Sequence, residues 1–171
     1  MMDVARVAAV VVVAVGGVID IRSHRIPNLV TFGGAVLGLT ASLWLGGLSG
    51  LGHSAGGWAT GVALFLPLFM LGGMGAGDVK LLGAVGAWLG PMGAVWSGFF
   101  AVMAGGVLAL VVGAWAGYLG KAFANLWGLI AFWRVAGIRP LPGLTLADAP
   151  GPRLPYGVAI AVGTCVAVWL K

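Results

Sequence analysis

"VARVAAVVVVAVGGVIDIRSHRIPN", residues 4–28, decides the fold class. Between Val4 and Ile21 only Arg6 and Asp20 carry charge. A membrane-crossing helix takes about 20 predominantly apolar residues, with a range of about 17–25, so this run reads as a span. "RSHR" follows as a basic turn, and Pro27 is suited to open the next helix, because its fixed φ and missing N–H cost nothing there. A secretory leader would end at a small-residue cleavage site. The run has no convincing one, so the span is read as retained.

Outward from this stretch the same composition continues. The chain has 171 residues, 61% hydrophobic and 8% charged, where soluble domains carry about 25% charged residues. Only helices and closed barrels satisfy their backbones in lipid. A barrel would alternate in segments of about ten residues, whereas these apolar runs are long and unbroken. The expectation is an all-α, polytopic membrane protein forming a single domain over residues 1–171.

Six spans are predicted, over residues 4–21, 28–48, 55–71, 78–90, 92–119 and 156–170, with Pro67 kinking the third. "GGLSGLGHSAGG", residues 46–57, is expected to be an uncharged loop, and "GGMGAG", residues 72–77, a break. "KAFANLWGLIAFWR", residues 121–134, is short for a span and is read as an interfacial helix. It leads into the Pro-rich loop "RPLPGLTLADAPGPRLP", residues 139–155. With that helix on the surface, Arg22, Arg25, Lys80, Lys121, Arg134, Arg139 and Arg153 share one side, and only Arg6 and Lys171 take the other. The positive-inside rule makes the first side cytoplasmic. The +5 net charge is therefore a topology signal, and its scatter gives no patch for nucleic acid. A single cysteine, Cys165, excludes a disulfide framework or a Cys-x-x-Cys site. No metal or cofactor is expected.

Glycine numbers 32 residues, often in small-xxx-small spacing: Gly34 with Gly38, Gly73 with Gly77, Gly86 with Gly90. Such spacing lets helices approach closely in lipid.

The chain has four acidic residues, all aspartate. Asp3 lies at the terminus and Asp148 in the Pro-rich loop. Asp20 ends the first predicted span and Asp78 begins the fourth, so both fall at the cytoplasmic border on different helices. Ionisable groups at such depth are functional candidates. Two carboxylates brought together share one proton, so that one works as base and the other as acid. That is aspartic protease chemistry. The structural alternatives are that Asp78 merely caps a helix and that Asp20 pairs with Arg22 or Arg25. Gly75 and Gly77 permit an unwound stretch beside Asp78, against which an extended peptide can lie. Lys80 reads as a snorkelling cation that can tune Asp78. His24 and His53 fall on opposite sides of the membrane, and no serine stands in a Gly-x-Ser-x-Gly elbow.

Three separated pieces resemble the type IV prepilin peptidases, a group of Gly-x-Gly-Asp membrane aspartic proteases. "DIRSHRIPN", residues 20–28, is similar to the family's first aspartate motif with its Ile-Pro-Asn, here Ile26, Pro27 and Asn28. "GAGDVKLLGAVGAWLG", residues 75–90, resembles the second, and "PYGVAIAVG", residues 155–163, the opening of the last helix. The resemblance implies cleavage of the basic leader of prepilins or pilin-like pseudopilins at the cytoplasmic face of the bacterial inner membrane, with Asp20 and Asp78 as the catalytic pair. It also implies the minimal peptidase-only form, typical of Flp/Tad systems, because the paired Cys-x-x-Cys segment of larger members has no counterpart here. The competing classes are a small ion- or proton-coupled transporter and a non-catalytic membrane subunit of a pilus or secretion assembly.

Overall fold

The computed structural model describes residues 2–139 and 154–170 of the chain. Five helices follow one another: α1 (Met2–Ser23), α2 (Asn28–Met70), α3 (Ala76–Trp115), α4 (Leu119–Ala136) and α5 (Tyr156–Trp169). Three of them, α1 over Val4–Ser23, α2 and α3, are long and apolar enough to cross a membrane; α5 is apolar but has 14 residues. Residues 140–153 of the predicted Pro-rich loop, with Asp148 and Arg153, and the terminal Lys171 lie outside the described residues, as does the side chain of Asp3.

The expectation of six separate spans is corrected. The second and third predicted spans fall in the two arms of α2 and the fourth and fifth in the two arms of α3, each pair of arms meeting at one non-helical glycine without an intervening loop. "GGLSGLGHSAGG" is helical, not a loop. The break inside α2 is a single residue, Gly47, at φ 60° and ψ −151°, and the break in α3 is Gly90, at φ 72° and ψ −178°. Each helix doubles back there. A methyl added at Gly50 would collide with the carbonyl oxygen of Ser42, and one at Gly86 would stand 3.1 Å from Ala94 Cβ. Residues eight apart in a straight helix are separated by about 12 Å. One left-handed residue, open to glycine without steric penalty, reverses the chain while helical bonding resumes at the next residue. No connecting loop is needed. Pro67 lies inside α2 but is not where its backbone breaks.

The first arm of α3 is the centre of the molecule. Every residue from Leu81 to Ala87 is buried, as expected of a helix that is apolar all round. Both arms of α2 flank it: Gly34 and Gly38 meet Ala84 and Ala87, and Gly57 meets the backbone of Gly86. Two of the three predicted small-xxx-small pairs thus pack as expected. Ser54 Oγ donates to Ala87 O (2.6 Å) and Trp88 Nε1 to Gly34 O (2.9 Å), stitching the arms together; Ala87 O is open to this because Pro91, four residues on, has no N–H to give it. The second arm of α3 packs on α5 through Gly163 and Ala101, and α5 in turn packs on α1 through Gly17 and Gly157. The segment over 121–134, expected as an interfacial helix, is helical as part of α4, which buries no residue.

Candidate active site

Asp20 stands in the last turn of α1. The helix ends at Ser23, whose hydroxyl donates to Ile19 O and Arg25 O (2.9 Å each), and His24 turns the chain at φ 48°. Ile26 and Pro27 are followed at once by α2, with Pro27 as its N-cap at φ −61°. The predicted opening role of Pro27 is what the structure has. Arg22 and Arg25 are exposed, while Asp20 is only 6% exposed. Its carboxylate faces inward. Oδ2 accepts a hydrogen bond from the backbone N–H of Gly157 at 2.8 Å, at the start of α5. That N–H is one of the four donors that a helix N-terminus leaves free.

Asp78, 8% exposed, is the third residue of α3, whose N-cap is Gly75. The reading of Asp78 as the cap is therefore corrected: its Oδ2 reaches back to accept from Gly75 N–H at 3.1 Å, in the manner of the acidic member of a capping box. Gly75 is extended, at φ −80° and ψ 152°. Gly77, expected in an unwound stretch, is helical. Its lack of a side chain serves packing, since a methyl there would stand 3.2 Å from Ile26 Cβ.

Local packing brings the two acids together. One turn into the protein from Asp20, Gly16 receives the side chain of Leu81, one turn beyond Asp78. Ile26 lies against both Gly16 and Gly77. The ends of α1 and α3 that carry the two aspartates therefore adjoin. Lys80 does not reach the acids: Nζ donates to Asn28 Oδ1 at 3.1 Å and sits 5.0 Å from the Phe32 ring centroid. It ties the start of α3 to the start of α2. Asp20, Asp78, Gly75 and Gly77 thus gather at one end of the bundle, with Pro27, Asn28 and Lys80 forming the adjoining rim.

Sequence reasoning missed Tyr156, Gly157 and Ile26 as parts of this site. "PYGVAIAVG" carried a resemblance but no charge, and nothing in its composition says that one of its amides meets Asp20.

A family model described as the type IV leader peptidase family matches residues 7–114. That is more than half of the chain, and it contains both aspartates. The chain belongs to the type IV leader peptidase family. No curated protein and no solved structure matches it. Membership makes the protein a peptidase of the membrane, in keeping with its apolar helices. The matched region ends within α3, so α5, which supplies the amide on Asp20, lies beyond it.

Proposed function

We propose that the protein is an aspartic endopeptidase that removes the basic leader of prepilins or pilin-like precursors at the cytoplasmic face of the bacterial inner membrane, with Asp20 and Asp78 as its catalytic pair. One observation carries the reading: two buried carboxylates on different helices, whose ends pack together through Gly16, Leu81, Ile26 and Gly77, each already oriented by a backbone N–H. Carboxylates crowded in this way hold a single proton between them. The ionised member takes a proton from a water, whose oxygen bonds to the scissile carbonyl carbon. The protonated member gives its proton to the carbonyl oxygen. Collapse of the resulting diol breaks the C–N bond, and the departing amine takes up a proton. The two N–H donors keep one oxygen of each carboxylate engaged, leaving the other for water and substrate.

Gly75, extended and without a side chain, leaves space in which a peptide can lie open beside Asp78. A helical substrate would hide its carbonyls in its own hydrogen bonds. The rim of Lys80, Asn28 and Phe32 adjoins this space and would contact the residues flanking the cleaved bond. The whole chain, residues 1–171, works as one domain in this reading.

Asp20→Asn and Asp78→Asn test it, in cells co-expressing a prepilin. Asn still accepts the Gly157 and Gly75 hydrogen bonds, so each variant is expected to insert and accumulate. Each should lose about 10²–10⁴-fold in processing, and the double variant little more, because groups acting as one unit are non-additive. Processing by Asp78→Asn at the wild-type rate would remove the enzyme assignment to this pair.

A further inference from the structure

Behind Asp20, the start of α5 is held in place by a contact that leads away from the dyad. The ring of Tyr156 packs edge-on against Phe65, with centroids 6.1 Å apart and planes at 73°. Its far end rests on Gly105, in the second arm of α3. A methyl at Gly105 would stand 2.8 Å from Cε2 and Cζ of Tyr156 and 2.9 Å from its hydroxyl oxygen. Gly105 is buried. The next residue, Gly106, is exposed and has nothing within 4 Å of the same added atom. The two glycines share one helix and one composition, and only the first is occupied by a neighbour.

Tyr156 is joined by one peptide bond to Gly157, whose N–H holds Asp20 at 2.8 Å. Gly157 has little room to move independently. A methyl on it would meet Asp20 Cβ and Oδ2 at 3.0 Å, and Gly17 opposite approaches its carbonyl oxygen. The ring therefore sets the position of the amide, and the notch at Gly105 sets the position of the ring.

We infer that Gly105 is a positioning residue for the peptidase reaction: it provides the notch that seats Tyr156, and through Tyr156 it sets the Gly157 amide on the Asp20 carboxylate. The inference rests on the proposed role of Asp20, and its test separates the two. Alanine is a better helix former than glycine, so Gly105→Ala has no intrinsic helical penalty and acts through the ring alone. Displacing a catalytic group by about 1 Å can lower a rate by about a hundredfold.

Gly105→Ala, Gly106→Ala, Tyr156→Leu and the double variant Gly105→Ala/Tyr156→Leu would be compared in full-length protein, with prepilin processing measured as kcat and KM. Gly105→Ala is expected to lower kcat by about ten- to a hundredfold with KM little changed, and Gly106→Ala to behave as wild type. Leucine removes the three ring atoms that an alanine methyl would meet, so Tyr156→Leu should itself lower kcat, and Gly105→Ala should add little further loss in that background. A second readout does not depend on activity. Tyr156–Gly157 is the one Tyr-Gly pair in the chain, so carbonyl-13C-tyrosine with 15N-glycine labelling gives a single amide signal, that of Gly157. Gly105→Ala should move it, as should Asp20→Asn. An active Asp20→Asn would defeat the dyad, while a shift of this signal in Gly105→Ala would still stand for the notch. An unmoved Gly157 signal with a wild-type rate in Gly105→Ala would overturn the inference, as would a full additional loss of rate when Gly105→Ala is combined with Tyr156→Leu. If Gly105→Ala fails to accumulate, recovery of accumulation in the double variant supports the notch, and its absence overturns it.

Discussion

Asp20 and Asp78 differ in how their surroundings hold them. Asp78 is oriented by its own helix start, through Gly75 three residues earlier, whereas Asp20 depends on Gly157, 137 residues away. Orientation of Asp78 is local, and orientation of Asp20 requires the whole bundle. Lys80 marks the boundary of the site. Its ammonium is taken up by Asn28 and the Phe32 face, so Lys80→Gln, which retains a donor for Asn28, is expected to keep processing within about threefold of wild type. A cation–π contact of this exposed kind contributes about 0.5–1 kcal/mol, and thermal unfolding in detergent should show a correspondingly small loss. A complete loss of processing in Lys80→Gln would place the ammonium in the chemistry after all.

The reversals inside α2 and α3 depend on glycine for two separate reasons. Gly47 and Gly90 need it for backbone conformation, since positive φ with ψ of −151° and −178° is a region essentially confined to glycine and costs other residues about 1–3 kcal/mol. Gly57 and Gly86 need it for space, because each one's added methyl would run into the other's backbone carbonyl or its neighbours. Backbone cannot rotate aside as a side chain can. Gly57→Ala and Gly86→Ala are each expected to destabilise the protein by about 1–3 kcal/mol or more through overpacking, measured as a fall in melting temperature and in accumulated protein. Gly33→Ala, in the first arm of α2 with nothing within 4 Å of the added methyl, should instead be neutral or stabilising by up to about 1 kcal/mol. Equal behaviour of Gly33 and Gly57 variants would mean that close backbone approach does not limit packing here.

For the molecule as a whole, orientation in the membrane follows from charge, and the bundle geometry makes it testable at two points. Ser23 ends α1 beside the site, and Ser49 lies just past the Gly47 reversal; both are exposed. Cys165 is also exposed, so labelling requires a Cys165→Ser background. A cysteine at Ser49 should react with a membrane-impermeant reagent added outside intact cells, and one at Ser23 should react only after permeabilisation. The opposite pattern would invert the assigned orientation. Chelators and inhibitors of serine and cysteine proteases should leave processing intact, since the proposed water is activated by carboxylates alone. Activity lost on chelation and restored by zinc would point to a metal instead.

Helical class, membrane character and the limits of most apolar runs were legible in residue order alone, because apolar length and turn chemistry act locally. Gly90-Pro91 and Ala76–Asp78 bound the central arm near where the sequence places them. The two acids were legible for the same reason, as rare charges at the ends of apolar runs. The one-residue length of the breaks at Gly47 and Gly90 was not, since a glycine-rich, uncharged stretch is equally compatible with a loop and with two helical arms meeting at one residue. Packing against neighbouring arms decides between them. Nor were Gly157, Tyr156 and Gly105 legible, being uncharged residues in apolar surroundings whose roles are set by what lies across the interface. Local chemistry determined which carboxylates were available. Only the tertiary structure determined which amide and which ring hold one of them in place, because those contacts join segments far apart in the chain.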